Sequence, residues 1–93
     1  MESIVQGRRE GCFICGRTPT ERHHIFGGVA NRPLSEKYGL VVDLCEYHHR
    51  DSKGGVHFNA DLMKLIKGKG QEAFERTYPD LDFIEIFRGG IDG

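Results

Sequence analysis

The chain has 93 residues, with 13 Lys plus Arg against 14 Asp plus Glu, five histidines and three cysteines. That length makes one domain whose apolar core is uncomfortably small without a metal or another staple. A formal net charge of −1 argues against a surface that binds nucleic acid all over. An odd cysteine count with no opening signal peptide or apolar run argues against a disulfide scaffold, so the chain reads as intracellular and reduced, with no membrane span.

Residues 1–11 are polar, carry Arg8-Arg9, and are expected to form a loose arm. Residues 12–16 form a knuckle, because Gly11 and Gly16 on either side permit a tight turn that aims Cys12 and Cys15 inward. Residues 22–26 are expected as a short strand that enters the core at Ile25 and Phe26 and is broken by Gly27-Gly28. Residues 31–39 read as a loop with one helical turn around residues 35–38, ended by Gly39. The β-branched, apolar run 40–44 is the strongest strand and delivers Cys45. Residues 46–53 read as a short helix stopped by Gly54-Gly55.

Asn59 is a candidate N-cap for a helix through Lys67, with Leu62, Leu65 and Ile66 on one face. Gly68 and Gly70 are expected to interrupt it. Residues 71–78 resume as helix until Pro79. Residues 81–87 alternate apolar and acidic side chains, as a final strand or an extended packing arm would. The expected core is Phe13, Ile14, Ile25, Leu40, Val42, Leu44, Leu62, Leu65, Ile66 and Phe74. Charge is uneven: residues 1–70 hold eleven Lys or Arg against eight Asp or Glu, and residues 71–93 hold two against six. Arg17, Arg22, Arg32, Arg50 and Lys53 could meet phosphates. Each taken singly is more simply a solvated surface charge.

The cysteines carry the clearest chemistry. Cys12-x2-Cys15 and Cys45-x2-His48 are two ligand pairs, each able to supply one edge of a tetrahedron around a structural Zn2+. The rival reading, a Cys12–Cys15 redox pair, needs a strand–helix context that the neighbouring residues do not offer. Successive helical residues point about 100° apart, so if His48 closes the zinc site, His49 faces elsewhere. His23 and His24 in a regular strand would face opposite sides. Near a distorted strand end, His23, His24 and His49 could form a second centre, in which two imidazoles hold a metal and the third takes a proton from water. The plainer reading of His24 is a buried imidazole bonded to backbone. His57 could be a spare ligand, but a surface or packing role is the favoured expectation.

Cys-x2-Cys, then Arg22-His23-His24-Ile25-Phe26-Gly27-Gly28, then Tyr38-Gly39-Leu40 through Cys45-Glu46-Tyr47-His48-His49-Arg50, resembles the zinc-bearing HNH, or ββα-metal, endonucleases. It resembles in particular the small HNH-like proteins of phages and prophages. The resemblance spans residues 12–57. It implies a small α+β fold with a zinc-stabilised ββα-metal core and C-terminal helices: a single domain with an arm at 1–11, the core at 12–57, and a helical, acidic extension at 58–93. By position it makes His24 the general base, with His23 and His49 holding Mg2+, Mn2+ or Ni2+ at a second site.

The family's middle asparagine falls at Leu40, which can neither bind a metal nor orient a base. Two readings follow from the resemblance. One is a phage-type nuclease that hydrolyses DNA phosphodiesters in a bacterial host's cytoplasm. The other is a non-cleaving HNH-fold inhibitor of a host defence nuclease, of the anti-CRISPR kind that binds a Cas effector and blocks DNA loading. A zinc-stabilised DNA-binding module is a third and weaker reading, given the net charge.

Overall fold

A computed structural model of the chain describes residues 2–51, 54–57 and 59–87. Two four-residue strands, β1 (Glu21–His24) and β2 (Val41–Leu44), pair antiparallel, with His23 opposite Val42 and His24 opposite Val41. Helix α1 (Gly28–Tyr38) connects them. Helix α2 (Glu46–Arg50) follows β2 and packs against both strands. Helices α3 (Ala60–Thr77) and α4 (Phe83–Ile86) complete a small α+β domain. None of the helices is long and apolar enough to cross a membrane among the described residues.

Helix α1 replaces the expected loop. Pro33 lies inside it and withholds a donor from the carbonyl of Val29 one turn earlier. Val29 is 99% exposed, so water can serve that carbonyl. The buried Ser35 fastens α1 to the end of β1: its Oγ accepts from Phe26 N at 3.1 Å and donates to Phe26 O at 2.8 Å. Gly39 ends the helix with φ +74° in a left-handed C-cap, a conformation glycine adopts without a Cβ penalty.

Residues 2–11 are docked rather than loose. Ile4 N donates to Gly39 O at 2.9 Å, Gln6 Oε1 accepts from Asp43 N at 2.8 Å, and Ile4 and Val5 pack against the core.

The core centres on Phe26, Phe74, Phe83 and Phe87, all at or below 2% exposure. Phe83 and Phe87 stack with centroids 5.0 Å apart, and Phe26 touches both at 5.1 Å. Each buried phenylalanine contributes about 2 kcal/mol from burial alone. Three of the four come from α3 and the segment after it, so the C-terminal part closes the core over the strand end. Within residues 81–87 the chain forms the short helix α4, not a strand, and Asp82 caps it by accepting from Glu85 N at 3.2 Å. Of the expected core, Ile14 and Leu65 are 37% and 51% exposed instead.

Helix α3 begins as expected, with Asn59 Oδ1 accepting from Leu62 N at 3.0 Å, and then runs unbroken through Gly68 and Gly70. The two glycines differ in their surroundings. A Cβ at Gly68 meets nothing within 4 Å, whereas one at Gly70 lies 3.2 Å from both Ile25 and Phe26. Gly70 is therefore the point where α3 approaches the end of β1. Gly68→Ala should stabilise the protein by about 0.5–1 kcal/mol through helix propensity. Gly70→Ala should destabilise it by about 1 kcal/mol or more through overpacking against two closely packed side chains. Urea midpoints moving the same way in both variants would contradict this packing.

Candidate functional site

The N-terminal knuckle is held by two backbone bonds, Gly16 N to Cys12 O at 2.8 Å and Cys12 N to Arg17 O at 2.9 Å. Phe13 N reaches Asp43 O on β2 at 2.7 Å, which brings the knuckle to the joint where β2 hands over to α2. Cys45 is the N-cap of α2 and His48 lies one turn in. The four side chains Cys12, Cys15, Cys45 and His48 converge.

Their spacing fits a tetrahedral zinc site. Zn–S bonds of about 2.3 Å and a Zn–N bond of about 2.05 Å give S–S edges of about 3.8 Å and S–N edges of about 3.6 Å. The Cys15 and Cys45 sulfurs are 3.7 Å apart, and His48 Nδ1 is 3.6 Å from the Cys12 sulfur and 3.4 Å from that of Cys45. All three cysteines are free of disulfides. Burial opposes charge on Cys12, but backbone N–H groups of Cys45, Cys15 and Ile14 outweigh it and lower the thiol to about 6. Zinc binds the thiolate, so one ligand is ready at neutral pH.

A second group sits beside this one. Strand β1 sends alternate side chains to opposite faces, so Glu21 and His23 share the face toward α2. His49, the next residue after the zinc-side His48, meets them there. Val56 N donates to His48 O at 2.7 Å and folds the chain back so that His57 joins. His23, His49 and His57 offer nitrogens within 4.8 Å of one another. Their ring centroids are 5.0 to 5.4 Å apart. A tetrahedral ion about 2.05 Å from each nitrogen lies about 3.2 Å from each centroid, which sets centroids about 5.2 Å apart. The trio therefore fits one divalent ion.

The trio has a supporting carboxylate. Glu21 Oε1 lies 3.0 Å from His49 Nδ1, and Arg50 grips Glu21 through Nε at 2.8 Å and Nη2 at 2.9 Å. With Nδ1–H donating to Glu21, His49 keeps Nε2 for a metal, the arrangement that fixes tautomer and orientation in metal sites. His49 and Arg50 hold the Glu21 carboxyl below its usual range. Burial, then the nearby His49 and His57, push His23 down to about 4. Burial, then His49 and Arg50, lower His57 as well. Both imidazoles are neutral near pH 7, as ligation requires.

His24 is not in the trio. It points to the opposite face of β1, where its Nε2 lies 2.8 Å from Glu36 Oε2 on α1, and Arg22 Nη1 holds the other oxygen of Glu36 at 2.7 Å. Contact with His24, and then the charge of Arg22, lowers the Glu36 carboxyl. His23, His24 and His57 nonetheless line one cavity at the end of the strand. The structure thus brings His23 and His49 together, adds His57, and gives His24 a carboxylate partner.

Sequence reading missed Glu21 and Glu36, and it favoured a surface or packing role for His57 over that of a spare ligand. Gly54 and Gly55 before His57 leave its spacing from the other histidines uninformative, while Glu36 meets β1 from α1 and Glu21 meets α2 from β1, contacts between distant segments that leave no local spacing signal. Comparison of the chain with protein-family models, with curated proteins and with solved structures gives no match.

Two outcomes test these sites. Purified protein should carry about one tightly held zinc per chain. Cys45→Ala should lose it together with its cooperative thermal transition, since metal binding and folding are coupled, while His57→Ala should keep both. A metal-free Cys45→Ala that melts like wild type removes the zinc site. In the zinc-loaded protein without added metal, the His23 ring signals in a nuclear magnetic resonance titration should show a midpoint near 4, not 6.5. An unfolded chain takes that proton at the higher pH, so His23 lowers stability progressively as pH falls from about 6.5 toward 4 and costs nothing above that window.

Proposed function

We propose that the protein is a small HNH-like, ββα-metal endonuclease of the phage and prophage type that hydrolyses DNA phosphodiester bonds. One observation carries the reading: His23 on one face of β1 meets His49 and His57 in an arrangement that could hold an ion, His24 on the other face meets Glu36, and all four histidines line one cavity. A divalent ion held by His23, His49 and His57 would supply the Lewis acid that polarises a phosphate oxygen and steadies the leaving oxygen.

The protein's own residues supply the base. Nε2–H of His24 donates to Glu36, which leaves Nδ1 with a lone pair to accept a proton from water. Glu36 fixes the tautomer and stabilises the imidazolium that forms, as the carboxylate does in a catalytic triad. Arg22 keeps Glu36 ionised and in place. The resulting hydroxide attacks phosphorus as the bond from phosphorus to the leaving sugar oxygen breaks; that oxygen takes a proton from solvent, and the imidazolium later returns its own proton to water. In this reading Glu36 orients the base from α1, the task that the asparagine replaced by Leu40 performs in the family the chain resembles. Zinc at Cys12, Cys15, Cys45 and His48 is structural, because it holds α2 and therefore His49 against β1.

A non-cleaving inhibitor of a host defence nuclease, of the anti-CRISPR type, is the alternative. It draws on Leu81 and Ile84, which are 41% and 61% exposed among Asp80, Asp82 and Glu85. That acidic, apolar corner suits a basic protein channel.

Plasmid nicking in the presence of Mg2+, Mn2+ or Ni2+ separates the two. His24→Ala should lower the rate by about 100-fold or more, and Glu36→Gln by about ten-fold, at unchanged melting temperature. Asp80→Lys with Asp82→Lys should leave the rate unchanged. No cleavage with any of these ions would favour the inhibitor.

A further inference from the structure

Ile14 and Leu65 are core-type side chains left at the surface, 37% and 51% exposed. Both line a groove of about 630 Å3 between the N-terminal residues and α3, and Val5 and Phe13 extend its apolar wall. The fold positions that wall. Ile14 sits at the tip of the knuckle between Cys12 and Cys15, and the bond from Phe13 N to Asp43 O ties the knuckle to β2. Helix α3 buries Ile66, Gly70 and Phe74, so Leu65, Lys69, Glu72 and Arg76, at helical spacing, present a separate exposed face. The groove is basic: Arg9, Lys69 and Arg76 line it against one acid, Glu72. Arg9 is held there, 5.1 Å over the Phe13 ring and donating to Phe13 O at 2.8 Å.

A surface of the opposite character follows α3. Leu81 and Ile84 stand exposed among Asp80, Asp82 and Glu85, and residues 80–87 hold no Lys or Arg. Phe83 and Phe87, stacked in the core, anchor α4 and leave Ile84 outside. Of the six large apolar side chains exposed among the described residues, the groove and this corner hold four. Clustering of that kind, unlike scattered exposure, marks an interaction surface. A polyanion would meet the cations of the groove but leave Ile14 and Leu65 wet. The groove therefore suits a protein surface that is apolar and acidic at once, and the chain itself carries one.

We propose that the groove is the docking site for the acidic corner of a second copy of this chain. The groove reaches Arg76 on the last turn of α3, and the corner starts at Asp80. A two-fold axis near the end of α3 seats each corner in the other copy's groove. Two-fold symmetry uses the contact twice, which doubles the apolar area buried and the number of opposite charges brought together. The groove shares no lining residue with the cavities around the histidines, so the dimer stands apart from the proposed chemistry.

Sedimentation velocity of the zinc-loaded full chain over a range of concentrations tests it with two charge-reversed variants. One carries Asp80→Lys and Glu85→Lys, which spare the Asp82 cap; the other carries Lys69→Glu and Arg76→Glu. Wild type should reach a dimer, and each variant alone should raise the dissociation constant about ten-fold or more. An equimolar mixture of the two should regain most of the wild-type affinity, because both contacts of the mixed dimer then pair opposite charges. Leu65→Ser should weaken the dimer without changing any charge, and it decides the matter if a charge-reversed variant loses its zinc or its thermal transition. A wild type that stays monomeric at every concentration overturns the second copy as occupant and leaves the groove to a different acidic, apolar partner. A dimer that only one charge reversal weakens, or a mixture no tighter than its components, overturns the contact itself. Growth beyond the dimer overturns the two-fold arrangement.

Discussion

The convergence of Cys12, Cys15, Cys45 and His48 is the constraint from which the rest of the site follows. The two strands are four residues long and too short to hold a fixed register by themselves. A tetrahedral ligand set fixes the N-terminal knuckle, the end of β2 and the first turn of α2 relative to one another. It settles the rotation of α2, and the rotation of α2 settles the direction of His49. The aromatic cluster of Phe26, Phe74, Phe83 and Phe87 closes the other end of the strand pair. Between these anchors lies a short strand whose alternating side chains can be aimed reliably.

Alternation along β1 then divides labour. Glu21 and His23 face α2; Arg22 and His24 face α1. Each histidine acquires a glutamate–arginine support: Glu21 with Arg50 serves the metal side through His49, and Glu36 with Arg22 serves His24 directly. Surface ion pairs of this kind add little stability. Under the proposed function their value is orientation, since a metal ligand and a base would each need a defined tautomer. Two imidazoles with lowered proton affinity, His23 and His57, and an imidazole with one nitrogen against a carboxylate are opposite demands, and opposite faces of a strand can satisfy both.

Much of this was legible in the residues. The x2 spacings located the Cys3His cluster, because both ligand pairs are local. The two strands, the helix after Cys45 and the Asn59 cap were visible for the same reason, and so was the separation of His48 from His49. Other features depend on contacts between distant segments. Helix α1 was hidden by Gly27-Gly28, which read as a break, and by the polar run after it, which read as a loop; it forms because Ser35 bonds both backbone groups of Phe26. Helix α3 runs through two glycines because one of them is needed for close approach to Ile25 and Phe26. His57 joins the trio through a backbone bond from Val56 to His48.

The central claim is that two independent metal sites sit side by side, one sulfur-rich and structural, the other made of His23, His49 and His57. Titration of the metal-free chain with Co2+, followed by visible and near-ultraviolet absorption, tests it most directly. The account predicts two equivalents: a first with intense thiolate-to-cobalt bands, and a second with only weak ligand-field bands, lost in His57→Ala and kept in His24→Ala. A single equivalent in wild type, or a second one that depends on His24 and not on His57, would contradict it.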